Sequence, residues 1–131
     1  MISPAKIQVR FADLDVMGHV NNSVYLSYFE MTRVHYFRQL VGANWDWRKE
    51  GVLLVRNEID YLKPILLNDL PEVHMTLEKI GEKSISLLYE IKINNEVYTK
   101  GRSVLVCFNS EEGKTIPVPK KMSEALINLK S

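Results

Sequence analysis

A single cysteine, Cys107, stands in the whole sequence, so no internal disulfide can form and no pair of thiolates is spaced for a structural zinc site. A reducing compartment is the expectation. Long apolar runs are missing as well: residues 1–11 carry no extended apolar stretch of the secretion-signal kind, and nothing approaches the roughly 20 apolar residues needed to span a bilayer. No membrane partner and a cytoplasmic location are therefore expected. Nor is there an excess of charge of one sign. Lys plus Arg number 17 against 16 Asp plus Glu, a net charge of +1, which gives no broad basic field for gripping a phosphate backbone and argues against nucleic acid as a partner. Internal repeats and low-complexity segments are also absent, so the chain reads as one unit, residues 1–131.

What is present suits a compact core. Of the 131 residues, 46% are hydrophobic, enough for a domain of this size to fold without metals or cross-links. Ile7, Val9 and Phe11 alternate with Gln8 and Arg10, the pattern of a short strand. Ala12 to Asn22 then reads as an irregular loop of polar side chains. From Asn22 or Ser23 to Leu40 there is no Gly or Pro, and Asn or Ser is a good helix cap. Apolar residues cover so much of this helix that it is expected to be largely enclosed. Glu30 and Arg33, three apart, are spaced to meet as a pair on its surface.

Beyond the Gly42 to Gly51 connection come four strand-like runs: Val52 to Tyr61, Pro71 to Lys79, Ser84 to Ile93 and Val97 to Phe108. The second and third alternate apolar with polar residues, as half-buried strands do, and Asn94-Asn95 predicts a hairpin between the last two. A short helix over Met122 to Leu129 closes the chain. Strand, long helix, then four antiparallel strands predict an α+β fold in which one five-stranded sheet wraps the helix. One helix cannot cover the whole sheet, so a second copy is expected to pair with it.

The run Val9-Arg10-Phe11-Ala12-Asp13-Leu14-Asp15-Val16-Met17-Gly18-His19-Val20-Asn21-Asn22 resembles the signature of the 4-hydroxybenzoyl-CoA thioesterase-like family. Tyr25, Tyr28-Phe29-Glu30 and Arg33 are similar to that family's helix, and Lys63-Pro64 with Asn68-Asp69 to a later motif. The Gly18-His19-Val20-Asn21-Asn22 variant is closer to acyl-CoA and acyl-carrier-protein hydrolases than to enzymes that cleave the aromatic thioester. Met17, His19 and Asn21 depart from that aromatic branch. The resemblance implies the hotdog fold and thioester hydrolysis without metal or cofactor. It also implies a homodimer at minimum, with a homotetramer expected, because the family's active site lies between subunits.

By the same resemblance Asp15 is the catalytic carboxylate and the backbone N–H of Asn22 the oxyanion donor. Chemistry agrees: a thioester needs a nucleophile, or a base for water, and donors aimed at the oxygen that gains charge. A helix start offers such donors. The other reading of Asp15, a loop aspartate bonding its own backbone, stays open on spacing alone. Asp13 is expected to order the loop. Gly18 either supplies a positive φ or admits the substrate close to the backbone; His19 is a neighbouring binding or packing residue, and Glu30 the fallback acid. Tyr25, Tyr28, Phe29 and Leu54 are candidates for an acyl slot, and Lys63, Lys79, Lys83 and Arg102 for the phosphates of coenzyme A, with Lys63 and Lys83 preferred. Two other readings stand beside acyl-CoA hydrolysis: an acyl-carrier-protein thioesterase and a non-catalytic acyl-CoA binder. A hydratase has no matching signature.

Overall fold

In a computed structural model, residues 1–130 are described. The order is β1 (Ala5–Lys6), a single 3-10 turn (Phe11–Asp13), α1 (Val24–Val41), β2 (Gly51–Tyr61), β3 (Glu72–Ile80), β4 (Ser84–Ile93), β5 (Glu96–Asn109), β6 (Lys114–Thr115) and α2 (Lys120–Ile127). The strands form one antiparallel sheet in the order β1-β3-β4-β5-β2, with β6 adding to β5. The sheet curls around α1, which is the hotdog arrangement.

Alternation sets which face of the sheet meets the helix. Val73, Met75 and Leu77 on β3 and Ile85, Leu87, Tyr89 and Ile91 on β4 are buried, because every second side chain of a strand points to the same face. From α1, Tyr25, Tyr28, Phe29, Thr32, Tyr36, Phe37 and Val41 meet them, at the three- and four-residue steps of one helical face. The Thr32 hydroxyl is satisfied within the helix by donating to the Tyr28 carbonyl at 2.7 Å. Over the centre of the sheet Phe29 stacks on Tyr89, their rings 4.2 Å apart and 8° from parallel. Gly101 makes this possible, since a Cβ there would lie 2.4 Å from the Phe29 ring.

Four expectations need correction. Extended pairing near the amino terminus covers Ala5–Lys6 rather than Ile7 to Phe11. Ile7 and Val9 do point into the core, but the partner strand starts only at Glu72; after the Ile7 N–H donates to the Pro71 carbonyl at 3.0 Å the ladder ends, and Phe11 is 81% exposed. Secondly, α1 is enclosed on one face only, with Leu26, Met31 and Val34 exposed on the other. The sheet of one chain reaches no farther round. Thirdly, Arg33 does not meet Glu30: its Nη1 donates to the Tyr89 hydroxyl at 3.0 Å. The closing helix lies two residues earlier than expected, at Lys120–Ile127, after Pro119 opens it.

The two sheet edges differ. The outer edge of β3 is covered by β1 and, near its other end, by the Leu77 N–H donating to the Leu129 carbonyl at 3.0 Å. Along β2, whose one partner is β5, the outer edge has no partner among the described residues, and Leu53, Leu54 and Val55 are exposed there.

Substituting Gly101→Ala places a methyl group inside the Phe29 ring contact, and overpacking of this kind costs about 1–3 kcal/mol. Urea denaturation should show that loss. A variant as stable as wild type would mean that the helix has room to shift and that Gly101 does not set its depth.

Candidate active site

The loop between β1 and α1 is closed by its own main chain. Asn21 N–H donates to the Asp13 carbonyl at 2.8 Å, Asp15 N–H to the His19 carbonyl at 2.8 Å and Gly18 N–H back to the Asp15 carbonyl at 3.0 Å. Leu14 and Val20 face each other as a bridge between these bonds. The result is a miniature hairpin whose tip is Asp15-Val16-Met17-Gly18. Gly18 takes φ 76°, a left-handed conformation that costs a side-chain-bearing residue about 1–2 kcal/mol. Its part in this chain is the turn: it does not line the adjoining groove.

Asp15 uses one oxygen on the turn. Its Oδ1 accepts the N–H groups of Met17 at 2.9 Å and His19 at 3.2 Å, the backbone-bonding arrangement common for aspartate in turns. No hydrogen bond occupies Oδ2 among the described residues, and the side chain is exposed. The loop-aspartate reading of Asp15 therefore describes its Oδ1.

Helix α1 starts where this hairpin ends. The Asn21 side chain, rather than that of Asn22 or Ser23, caps the start: its Oδ1 accepts the Ser23 N–H at 3.0 Å and the Ser23 hydroxyl at 3.0 Å. The Asn21 carbonyl accepts the Val24 N–H at 2.9 Å. None of these bonds uses the Asn22 N–H. The Asn22 carbonyl receives the Tyr61 hydroxyl at 3.1 Å, and the Tyr61 ring stands edge-on to Tyr25 at 4.8 Å. The end of β2 is thereby pinned to the start of α1.

Together these elements enclose a groove of about 250 Å³ lined by Asp15, His19, Val20, Asn22, Tyr25, Tyr61, Leu62, Lys63 and Pro64. Of the predicted site residues, Asp15, His19, Asn22, Tyr25 and Lys63 therefore meet. Tyr25 forms the floor, buried beneath the polar rim, and burial raises its hydroxyl pKa. Lys63 is committed already: it pairs with Glu96 and lies 5.6 Å from the Tyr98 ring centroid. The Glu96 hydrogen bond raises its pKa. Lys83 lies elsewhere. It precedes Ser84, which pairs with Val106, whereas the groove is at the Tyr61–Thr99 pairing; seven residues of strand separate the two, about 23 Å. Its ammonium contacts the Thr115 hydroxyl at 3.3 Å. Arg102 is taken up by Glu78 at 2.7 Å and Glu58 at 3.6 Å.

Tyr61 and Leu62 were not singled out from sequence, and Pro64 only within the Lys63-Pro64 motif, which does not tell what the strand end lies beside. A second groove of about 330 Å³, between α1 and β2, contains Glu30, Arg33, Phe37, Trp47 and Leu54 among its lining. Glu30 lies in mid-helix, where backbone N–H groups are spent on the helix itself, so the helix offers no free backbone donor beside it. Among the described residues, no group of three or more His, Cys, Asp or Glu side chains converges as a metal-ligand set. No helix among them is long and apolar enough to cross a membrane.

The sequence model of the thioesterase-like superfamily matches residues 9–126. The chain belongs to that superfamily. It is similar to a thioesterase from Thermus thermophilus crystallised with coenzyme A and Zn. The TM-score is 0.85 at 36% identity, covering 98% of this chain and 93% of that one. It is 27% identical to the long-chain acyl-CoA thioesterase FadM of Escherichia coli, over 92% of this chain and 94% of that protein. It is likewise 27% identical to the acyl-CoA thioesterase YbgC of Haemophilus influenzae, over 95% of this chain and 93% of that protein. Superfamily membership over nearly the whole chain makes this protein a hydrolase of the thioesterase type.

Beneath the groove, Asp13 is 2% exposed. Burial alone would raise its carboxyl pKa, but the Arg10 backbone N–H, the Tyr28 hydroxyl and the Arg10 side chain together bring it below the ordinary 3.8. A folded-state pKa below the unfolded one means that the stabilisation is complete above 3.8 and fades as pH falls through the lower, folded value. Asp13→Asn should therefore flatten the acid limb. Below pH 3.8, its urea midpoint should fall less steeply with decreasing pH than that of wild type, and parallel curves would show that the carboxylate is not held this way.

Proposed function

We propose that this hydrolase cleaves acyl-CoA thioesters in the Asp15 groove, releasing a free carboxylic acid and coenzyme A. The observation that carries the reading is the meeting, in one groove, of a carboxylate with an unoccupied oxygen and a helix start with an uncommitted N–H. The thioester carbonyl lies with its oxygen towards the Asn22 N–H and the positive end of α1, which stabilise the charge that develops on attack. Asp15 Oδ2 acts on the carbon, either as nucleophile or by taking a proton from water. Collapse of the tetrahedral species breaks the C–S bond and expels the thiolate, which takes up a proton; the general-base route leaves the free acid directly, and the nucleophilic route leaves an acyl anhydride on Asp15 that water then cleaves. Tyr25 and Leu62 offer apolar contact at the reacting end, and His19 stays a binding residue. Lys63 is the basic side chain at the rim suited to a phosphate, once Glu96 yields it. The coenzyme A held by the Thermus thermophilus relative and the long-chain acyl-CoA named for FadM support the choice of carrier. An acyl-carrier-protein substrate would use the same chemistry on a different carrier.

A second copy of the chain belongs to this reading. A groove of about 250 Å³ is smaller than the roughly 300–1,000 Å³ of complete small-molecule sites. The unpaired β2 edge and the apolar outer face of α1 offer surface for a partner able to extend it. A homodimer is the minimum assembly, and a pair of dimers a further step. Lys83, remote from its own chain's groove, takes no part in the single-chain site.

Asp15→Asn tests the chemistry with little disturbance of the loop, since the amide oxygen can still accept from Met17 and His19. Thiol release from a panel of acyl-CoAs should fall by about 100-fold or more, while Asn22→Ala, which keeps the backbone N–H, keeps most of the rate. Undiminished turnover by Asp15→Asn would sink the assignment. Running the same acyl group on coenzyme A and on acyl carrier protein should favour coenzyme A; a strong preference for the protein carrier reverses that choice. Sedimentation should find dimers or larger at assay concentrations, and a fully active monomer would remove the second copy from the account.

A further inference from the structure

Beneath Asp15 lies a carboxylate that the chemistry above does not use. Asp13 Oδ2 accepts the Tyr28 hydroxyl at 2.8 Å and the Arg10 backbone N–H at 3.0 Å. Its Oδ1 accepts Arg10 Nε at 3.3 Å and Nη2 at 3.1 Å. The Asp13 carbonyl closes the hairpin through Asn21. One residue thus touches three parts: the strand-like entry through Arg10, the helix through Tyr28, and the start of the helix through Asn21. Of these, the Tyr28 bond is the link that reaches from the loop side chain to the body of α1. The Tyr28 ring is buried one turn below the groove floor.

We infer that Asp13 and Tyr28 are positioning residues: their buried hydrogen bond locks the Asp15 hairpin to α1, so that the reacting carboxylate and the Asn22 N–H keep a fixed spacing. Two features of the geometry require such a lock. Asp15 is exposed and its hairpin tip carries Val16 and Met17, both also exposed, so nothing packs over the tip to hold it. And the remaining ties of the hairpin are mostly internal: the Asp15–His19, Asp15–Gly18 and Asp13–Asn21 bonds fix its shape without fixing its tilt against the helix. The Val20 N–H to Ile65 carbonyl bond at 2.8 Å and the His19–Leu66 bridge hold the returning limb to the segment after β2; on the outgoing limb Leu14 packs against the core, and the polar tie to α1 is Asp13. Catalysis is sensitive to such tilt, because a misplacement of about 1 Å costs as much as about 100-fold in rate.

This inference rests on Asp15 as the reacting carboxylate, and its test separates the two. Tyr28→Phe removes the hydroxyl and keeps the ring in the core; Asp13→Ala, which removes the acceptor, serves as the second variant should the first not fold. The expected result is a kcat lowered about tenfold, the scale set by the loss of one buried hydrogen bond, with KM for a medium-length acyl-CoA within about twofold. Amide exchange should quicken at Gly18, His19 and Asn21, whose bonds define the hairpin, and stay slow in β3 and β4. In an Asp15→Asn background the same Tyr28→Phe change should cost little more, since there is no carboxylate left to position. An unchanged kcat in Tyr28→Phe, unaltered exchange in the hairpin, or the same tenfold loss on top of Asp15→Asn each overturns the inference. If Asp15→Asn alone keeps full turnover, the assignment of Asp15 has failed, and hairpin exchange alone then decides whether the lock exists.

Discussion

A helix start is useful to a reaction only when its N–H groups open onto a confined space, and here that depends on how deeply and at what rotation α1 sits in the curled sheet. Gly101 sets the depth by leaving room for the Phe29 ring against Tyr89. Rotation follows from the aromatic face: Tyr25, Tyr28, Phe29, Tyr36 and Phe37 are all buried, and turning the helix by one residue would expose several of them at about 1.5–3 kcal/mol each. With the helix so fixed, Tyr61 at the end of β2 reaches the Asn22 carbonyl, and the groove acquires its second wall.

On this frame the loop carries its chemistry at low cost. A short hairpin held by three main-chain hydrogen bonds and a bridge brings Asp15 beside the helix start. The division of labour inside the Asp-x-Asp pair follows burial. Asp13 is buried and surrounded by donors, and so is held as a carboxylate for structural use; Asp15 is exposed, with one oxygen on the turn and the other unoccupied. At the rim, Lys63 is held by Glu96 and lies over the Tyr98 ring.

How much of this was legible in sequence depends on whether the deciding partner is local. The spans of β3 and β4 follow the alternation of side chains, since alternation is the direct trace of one buried face, and Asn94-Asn95 take the positive φ values of 51° and 66° that their hairpin demands. The first strand is shorter than its alternation suggests, because the pattern through Phe11 persists after its partner has ended at Pro71. Glu30 and Arg33 are correctly spaced to meet, yet Arg33 finds the Tyr89 hydroxyl, a group 56 positions away that helical periodicity cannot reveal. Lys63 and Lys83 look alike as basic residues after strand breaks; only the register of β5 against β2 and β4 shows that one borders the groove and the other lies at the opposite end of the sheet. Asp15, His19 and Asn22 were legible because one short stretch of loop holds them together whatever the sheet does.

The most direct test of the account is a crystal structure with a non-hydrolysable acyl-CoA analogue in which the thioester sulfur is replaced by a methylene group. The account predicts the carbonyl oxygen on the Asn22 N–H, with the free oxygen of Asp15 facing the carbonyl carbon or a water beside it. An analogue whose carbonyl lies instead beside Glu30 and Arg33, in the groove between α1 and β2, would contradict it.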